Sequence, residues 1–173
     1  MEKNPLYTIG HGVRRAEDFL DLLKKYNINH LADVRSVPYS RFNPQYRQPA
    51  LKSFLEANGI TYIFMGNTLG GRPKDTSCYD ERGKIDYSIV STKPFFLEGI
   101  DRLKDAYAQD ISLAIMCSES KPIECHRTRL ISNVLQRENI KIMHIDEKGN
   151  LQKHEGVLNK LQTGQKVLFD NIK

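Results

Sequence analysis

At 173 residues the chain has room for one ordinary core, because two would leave each half too small to bury enough surface. Lys and Arg total 26 against 21 Asp and Glu, a formal charge of +5, and 27% charged with 39% apolar residues is the make-up of a folded soluble domain. That balance excludes wholesale disorder and an integral membrane protein, and the modest basic excess permits an acidic partner without naming one.

The first residues lack the apolar stretch of a secretory signal, and no segment approaches the roughly 20 apolar residues that span a bilayer. A cytoplasmic setting with no membrane partner is therefore expected. Cys78, Cys117 and Cys125 are too few and odd in number for a disulfide framework, so reduced thiols are expected.

Residues 6–10 form a short apolar run stopped by Gly10-His11-Gly12, and Phe19, Leu22, Leu23 and Tyr26 then recur at helical spacing over 15–26. Residues 29–34 read as a second strand. After a loop rich in arginine and aromatic residues, 49–58 place Leu51, Phe54 and Leu55 on one helical face, with Asn58-Gly59 as the stop. A third strand spans 60–65. From 66 to 91 the text turns irregular, which predicts a lid or an insertion. A helix follows over 92–108, with Pro94 acceptable in its first turn. The run 111–117 is nearly continuous in apolar residues, as a strand buried on both faces requires. A helix over 125–138, a strand over 140–145 and a last helix over 155–161 complete the series, and the tail 163–173 has no assignable structure.

Strand and helix thus alternate, which predicts one α/β domain over 1–173: a mainly parallel open sheet with helices on both faces, Rossmann-like in class. In such sheets ligands bind beyond the carboxyl ends of the strands, and every unusual cluster of this chain falls there. After the first strand, two glycines flank His11, a candidate base, acid or hydrogen-bond donor near neutral pH. A plain tight turn reads as well.

After the second strand, three arginines alternate with three aromatics, and two prolines restrict the backbone. Arg35 and Arg41 are candidate anion forks, Tyr39 and Ser40 add hydroxyl donors, the rings offer stacking surfaces, and Asp33 at the strand tip serves to orient Arg35. Gly70, Gly71 and Arg72 follow the third strand as a candidate anion nest completed by a cation. After the fourth strand comes a stretch holding Cys117, Glu119, Cys125, His126 and Arg127, where a helix start favours an anion or a thiolate. Arg127 is placed to reach that anion, and Glu119 and His126 are candidate acid or base groups. Buried packing explains either cysteine equally well.

Three sharper schemes bear on this stretch. A cysteine-type phosphatase needs an arginine after five intervening residues, but counting from Cys117 reaches Ile123. A zinc site from Cys117, Cys125, His126 and His11 lacks the compact spacing of zinc motifs, so neither a metal nor another cofactor is expected. Carboxylate chemistry would have Glu119 attack or protonate at a sugar carbon while the arginines hold a phosphate.

The motifs TIGHG, DVRSVPYSRFNPQY, GITYIFMGNTLGGR and CSESKPIECHR, in this order over about residues 5–146, resemble the prokaryotic family of domain of unknown function 488. The resemblance implies a small cytoplasmic α/β domain without a settled activity. The residues named above are carried over from it as motif positions alone.

The expected function is an enzyme, a hydrolase or transferase, that takes an anionic small molecule or nucleotide in an arginine-rich crevice at the strand ends. Two alternatives stand beside it. One is a module that binds or processes single-stranded nucleic acid through Tyr39, Phe42, Tyr46, Arg41 and Arg47, and the other is a noncatalytic regulatory or partner domain. The oligomeric state is not specified by the sequence.

Overall fold

In a computed structural model, which describes residues 3–170, the strands are β1 (Leu6–Gly10), β2 (His30–Asp33), β3 (Thr61–Phe64), β4 (Leu113–Cys117), β5 (Ile142–Ile145) and β6 (Leu151–Lys153). They form one sheet in the order β3-β2-β4-β1-β5-β6, parallel throughout except for the antiparallel pair of β5 and β6. β4 sits near the centre, and all five of its residues are buried. Its side chains divide by the period of two: Leu113, Ile115 and Cys117 enter one core, Ala114 and Met116 the other.

Two helices cover the second of these cores, α1 (Ala16–Lys25) with Phe19, Leu20 and Leu23, and α2 (Gln48–Ala57) with Leu51 and Leu55. The first core lies under α5 (Pro94–Ala108) with Phe96, Ile100 and Leu103, and under the segment after β4 with Leu130, Ile131 and Leu135. Helices on both faces of a mainly parallel sheet make this an α/β domain of the Rossmann-like class. Several helices stop the same way, with a residue in the left-handed region just beyond: Asn27, Gly59, Asp110 and Asn139 have φ of 54°, 78°, 55° and 59°. Among the described residues no helix is long and apolar enough to cross a membrane.

Four local expectations change. The helix expected over 125–138 begins with a six-residue π-helix, Arg127–Ser132, before the short α6 (Asn133–Arg137). There the Ser132 hydroxyl donates to the Arg127 carbonyl five residues back, at 2.6 Å. Cys125 stays outside the helix, with extended backbone after a 3-10 turn at Pro122–Glu124. The stretch 66–91 holds two four-residue helices, α3 (Gly66–Leu69) and α4 (Tyr87–Val90), plus a 3-10 turn at Thr76–Cys78. The last helix, α7, runs over His154–Asp170 and takes in most of the unassigned tail, whose residues 171–173 lie outside the described residues. β6 has no counterpart in the sequence reading, because three residues carry too little alternation to register.

Candidate functional site

The carboxyl ends of β1, β2 and β4 lie side by side, since Gly10 pairs with Cys117 and Asp33 with Met116. The pairing continues past the strands, with the His11 amide donating to the Cys117 carbonyl (3.0 Å) and the Gly12 amide to that of Ser118 (2.9 Å). Gly10 is needed for this approach. A Cβ there would fall 1.6 Å from the Glu119 carbonyl oxygen, so bare backbone alone lets the 118–120 segment lie on the end of β1.

At the end of β2, Asp33 and Arg35 are both buried, and the pair is bidentate: Nε donates to Oδ1 at 2.9 Å and Nη2 to Oδ2 at 2.7 Å. Nη1 donates to the Tyr46 carbonyl at 2.8 Å, and the Tyr62 hydroxyl donates to Asp33 Oδ2 at 2.6 Å. Burial, then that bond to a carboxylate, raises the Tyr62 pKa well above the ordinary range, so the phenol keeps its proton. His11 stacks on the Tyr46 ring, 4.1 Å between centroids. Its Nδ1 faces the Gly12 carbonyl at 2.8 Å, which assigns the proton there and leaves Nε2 as an acceptor 3.4 Å from Arg35 Nη1. Burial is the main cause that lowers the His11 pKa to about 4, so the ring is neutral at physiological pH.

A pocket of about 370 Å³ opens above these strand ends, lined by Arg35, Tyr39, Arg72, Cys117, Glu119 and His126 among others. Gly71 lines it too, with its Cα side against the His126 ring: a Cβ would fall 2.9 Å from Nδ1. His126 donates from Nε2 to the Leu69 carbonyl at 3.0 Å, and burial lowers its pKa, so it also holds a neutral ring. Two amides of the glycine turn have partners within the fold. The Gly70 amide donates to the Gly66 carbonyl and the Arg72 amide to Ser36 Oγ at 2.8 Å, so both are already used.

The remaining expected residues lie off the pocket wall. His11 sits behind Arg35. Ser40 accepts from the Asn43 amide, and Arg41 lies over the Phe42 ring at 5.6 Å. Arg127 is fully buried; among the described residues only Nη2 has a partner, the Ser120 carbonyl at 3.3 Å, while Nε and Nη1 have none. Burial lowers its pKa to about 9, against the opposing pull of Glu119. The expectation of three reduced thiols is corrected for two of them: the sulfurs of Cys117 and Cys125 are joined as a disulfide, whereas Cys78 is a buried free thiol.

Two features escaped the sequence reading. Tyr87, from α4, forms part of the pocket wall and carries no motif that marks it. A buried polar chain runs from Thr8 Oγ1 to His144 Nδ1 (2.6 Å), from His144 Nε2 to His154 Nδ1 (2.8 Å), and from His154 Nε2 to Asn133 Oδ1 (2.9 Å). It bridges β1, β5, α7 and α6, elements far apart in sequence.

In comparison with protein families, the model described as "Domain of unknown function DUF488" matches residues 15–134, more than half of the chain. The match takes in the loops after β2, β3 and β4 and begins after Gly10-His11-Gly12. Neither the curated proteins nor the solved structures give a match.

Proposed function

From a chain that belongs to the DUF488 family, whose description carries no activity, we propose an enzyme that holds a phosphorylated or nucleotide-like anion in the crevice beyond β2 and β4. The observation that supports this reading is that Arg35, Arg72, Glu119, His126 and Cys117 share one pocket of about 370 Å³, a size suited to a small ligand. Arg35 lines the crevice with a guanidinium that Asp33 fixes in advance, so its position needs no reorganisation when charge arrives. Arg72 is exposed and closes on the anion from the opposite loop. The reacting group comes from Glu119 and His126, which face the same space, joined by the Cys117 thiol once its bond to Cys125 is reduced, and hydrolysis or group transfer is the reaction class. A reducing, cytoplasmic setting belongs to the same proposal.

One observation favours a second reading. Phe42 is 85% and Tyr39 58% exposed, and each ring carries an arginine, Arg41 over Phe42 at 5.6 Å and Arg47 over Tyr39 at 4.6 Å. Such rings stack on unpaired bases.

A thermal-shift titration separates the readings. Nucleoside monophosphates and sugar phosphates, tried in turn, are expected to stabilise the protein, with affinity falling at least tenfold in Arg72→Ala. Stabilisation by an unpaired oligonucleotide alone, weakening steeply with salt, would transfer the case to the second reading. No shift with any phosphate would end the first.

A further inference from the structure

The sulfurs of Cys117 and Cys125 and the carboxylate of Glu119 lie within 4.8 Å of one another, although the two cysteines are eight residues apart. The 118–124 segment leaves β4, crosses the end of β1 and returns, so it brings Cys125 back over Cys117 without the short spacing of compact zinc motifs. The Glu119 carbonyl, 3.7 Å from the Cys117 sulfur, marks how tightly it turns.

The backbone separation of the two cysteines is informative. Their Cα atoms are 7.2 Å apart, beyond the roughly 4.4–6.8 Å over which a disulfide usually sits. Once the bond between the sulfurs is reduced, two thiolates on backbones that far apart can separate and take a small ion between them, with metal–sulfur bonds of about 2.3 Å.

A fourth donor stands beside them. His126 Nδ1 is 3.6 Å from the Cys125 sulfur, and the bond from Nε2 to the Leu69 carbonyl assigns the proton to Nε2, so that Nδ1 faces the sulfur as the acceptor. Metal-bound histidines are oriented by just this kind of bond from the far nitrogen to a carbonyl. Cys117, Glu119 and His126 line the crevice, so an ion here would lie open to a bound anion.

We propose that the reduced protein holds one divalent transition-metal ion, of the Zn²⁺ class, between Cys117, Cys125 and Glu119, with His126 as the adjoining imidazole donor. Two thiolates, a carboxylate and an imidazole match that borderline-soft ion and not Mg²⁺ or Ca²⁺, which favour oxygen alone. A thiol or phosphine reductant first supplies two electrons, and solvent two protons, to open the disulfide into two thiols; each thiol then loses its proton to solvent as the metal–sulfur bond forms. The site deepens the functional reading and rests on it for its role: an ion here polarises a phosphoryl oxygen or activates a water beside Arg72. The binding itself does not depend on that reading.

The test uses the full chain, reduced with a phosphine and stripped with a chelator, titrated with Co²⁺ and then Zn²⁺. One equivalent of Co²⁺ is expected to give tetrahedral visible bands and a near-ultraviolet thiolate-to-cobalt band, both bleached by Zn²⁺. Cys117→Ser and Cys125→Ser are each expected to lose the thiolate band. Glu119 is exposed, so Glu119→Gln offers a variant whose folding is not at risk; at least tenfold weaker binding is expected. Absence of the bands in the reduced wild type overturns the proposal, and so does binding that Glu119→Gln leaves unchanged. Phosphate ligands that stabilise the metal-free protein while cobalt leaves no signal would sink the ion and spare the anion site. The converse result would do the opposite.

Discussion

Two buried guanidiniums, Arg35 behind β2 and Arg127 behind β4, live under opposite conditions. Arg35 has a carboxylate across two parallel bonds, a backbone carbonyl on Nη1 and a neutral imidazole beyond it. Arg127, equally far from water, has among the described residues one carbonyl and two unpartnered nitrogens. The first is a fixed charge whose desolvation is offset on the spot. The second retains donor capacity inside the fold, and its depressed pKa reports how poorly its charge is matched. Burial alone therefore does not say how much donor capacity an arginine has left; the partner inventory does.

The sharpest way to break this contrast is Asp33→Asn. It strips the charge from the partner of a buried cation, and loss of one member of a buried pair costs about 3–5 kcal/mol. Urea denaturation is expected to show a loss of that order. A loss below about 1 kcal/mol would mean that Arg35 finds other compensation and that the two arginines are alike after all.

Acid probes the same neighbourhood. The folded pKa of His11 is near 4, below the 6.5 of the unfolded chain, so between these values the unfolded state binds the extra proton. Stability is then fully present above pH 6.5 and falls as pH drops toward 4, by on the order of 3 kcal/mol from this ring. His154, also near 4, adds to the slope in the same direction. Denaturation measured across pH, in the wild type and in His11→Gln, is expected to show a shallower acid loss in the variant. Identical slopes would place the acid sensitivity outside the Arg35 region.

The smallest effect is expected at Arg127→Met. Where a buried charge lacks a partner, an apolar residue of similar length is neutral or better, so stability should move by less than about 1 kcal/mol and either sign is acceptable. A loss above about 3 kcal/mol would show that the guanidinium is paired in solution, and the comparison would have to be redrawn.

The alternation of apolar runs made the α/β class legible, and β4 was the clearest because burial on both faces leaves a continuous apolar signature. Placement of the clusters at the strand ends followed from that class alone. The sheet order did not, because β1 lies between β4 and β5 through pairings more than a hundred residues apart in sequence. The state of His11 was equally hidden: that its ring is neutral at physiological pH follows only when Tyr46 and Arg35 enclose it. Gly70 and Gly71 read as anion-binding turns, yet Ser36 and His126 press on them from other loops, contacts no local pattern encodes. The π-helical turn at Arg127–Ser132 lay beyond reach for a similar reason, since a periodicity of 3.6 absorbs one extra residue without visible fault.

The bare backbone at Gly10 has a wider consequence. β1 gives the crevice no side chain of its own, yet the thickness of its main chain sets the height at which the Glu119 carbonyl rests. The depth of the crevice is thus gauged by an atom that is missing, and the strand with least apparent chemistry acts as the datum for the loop with most.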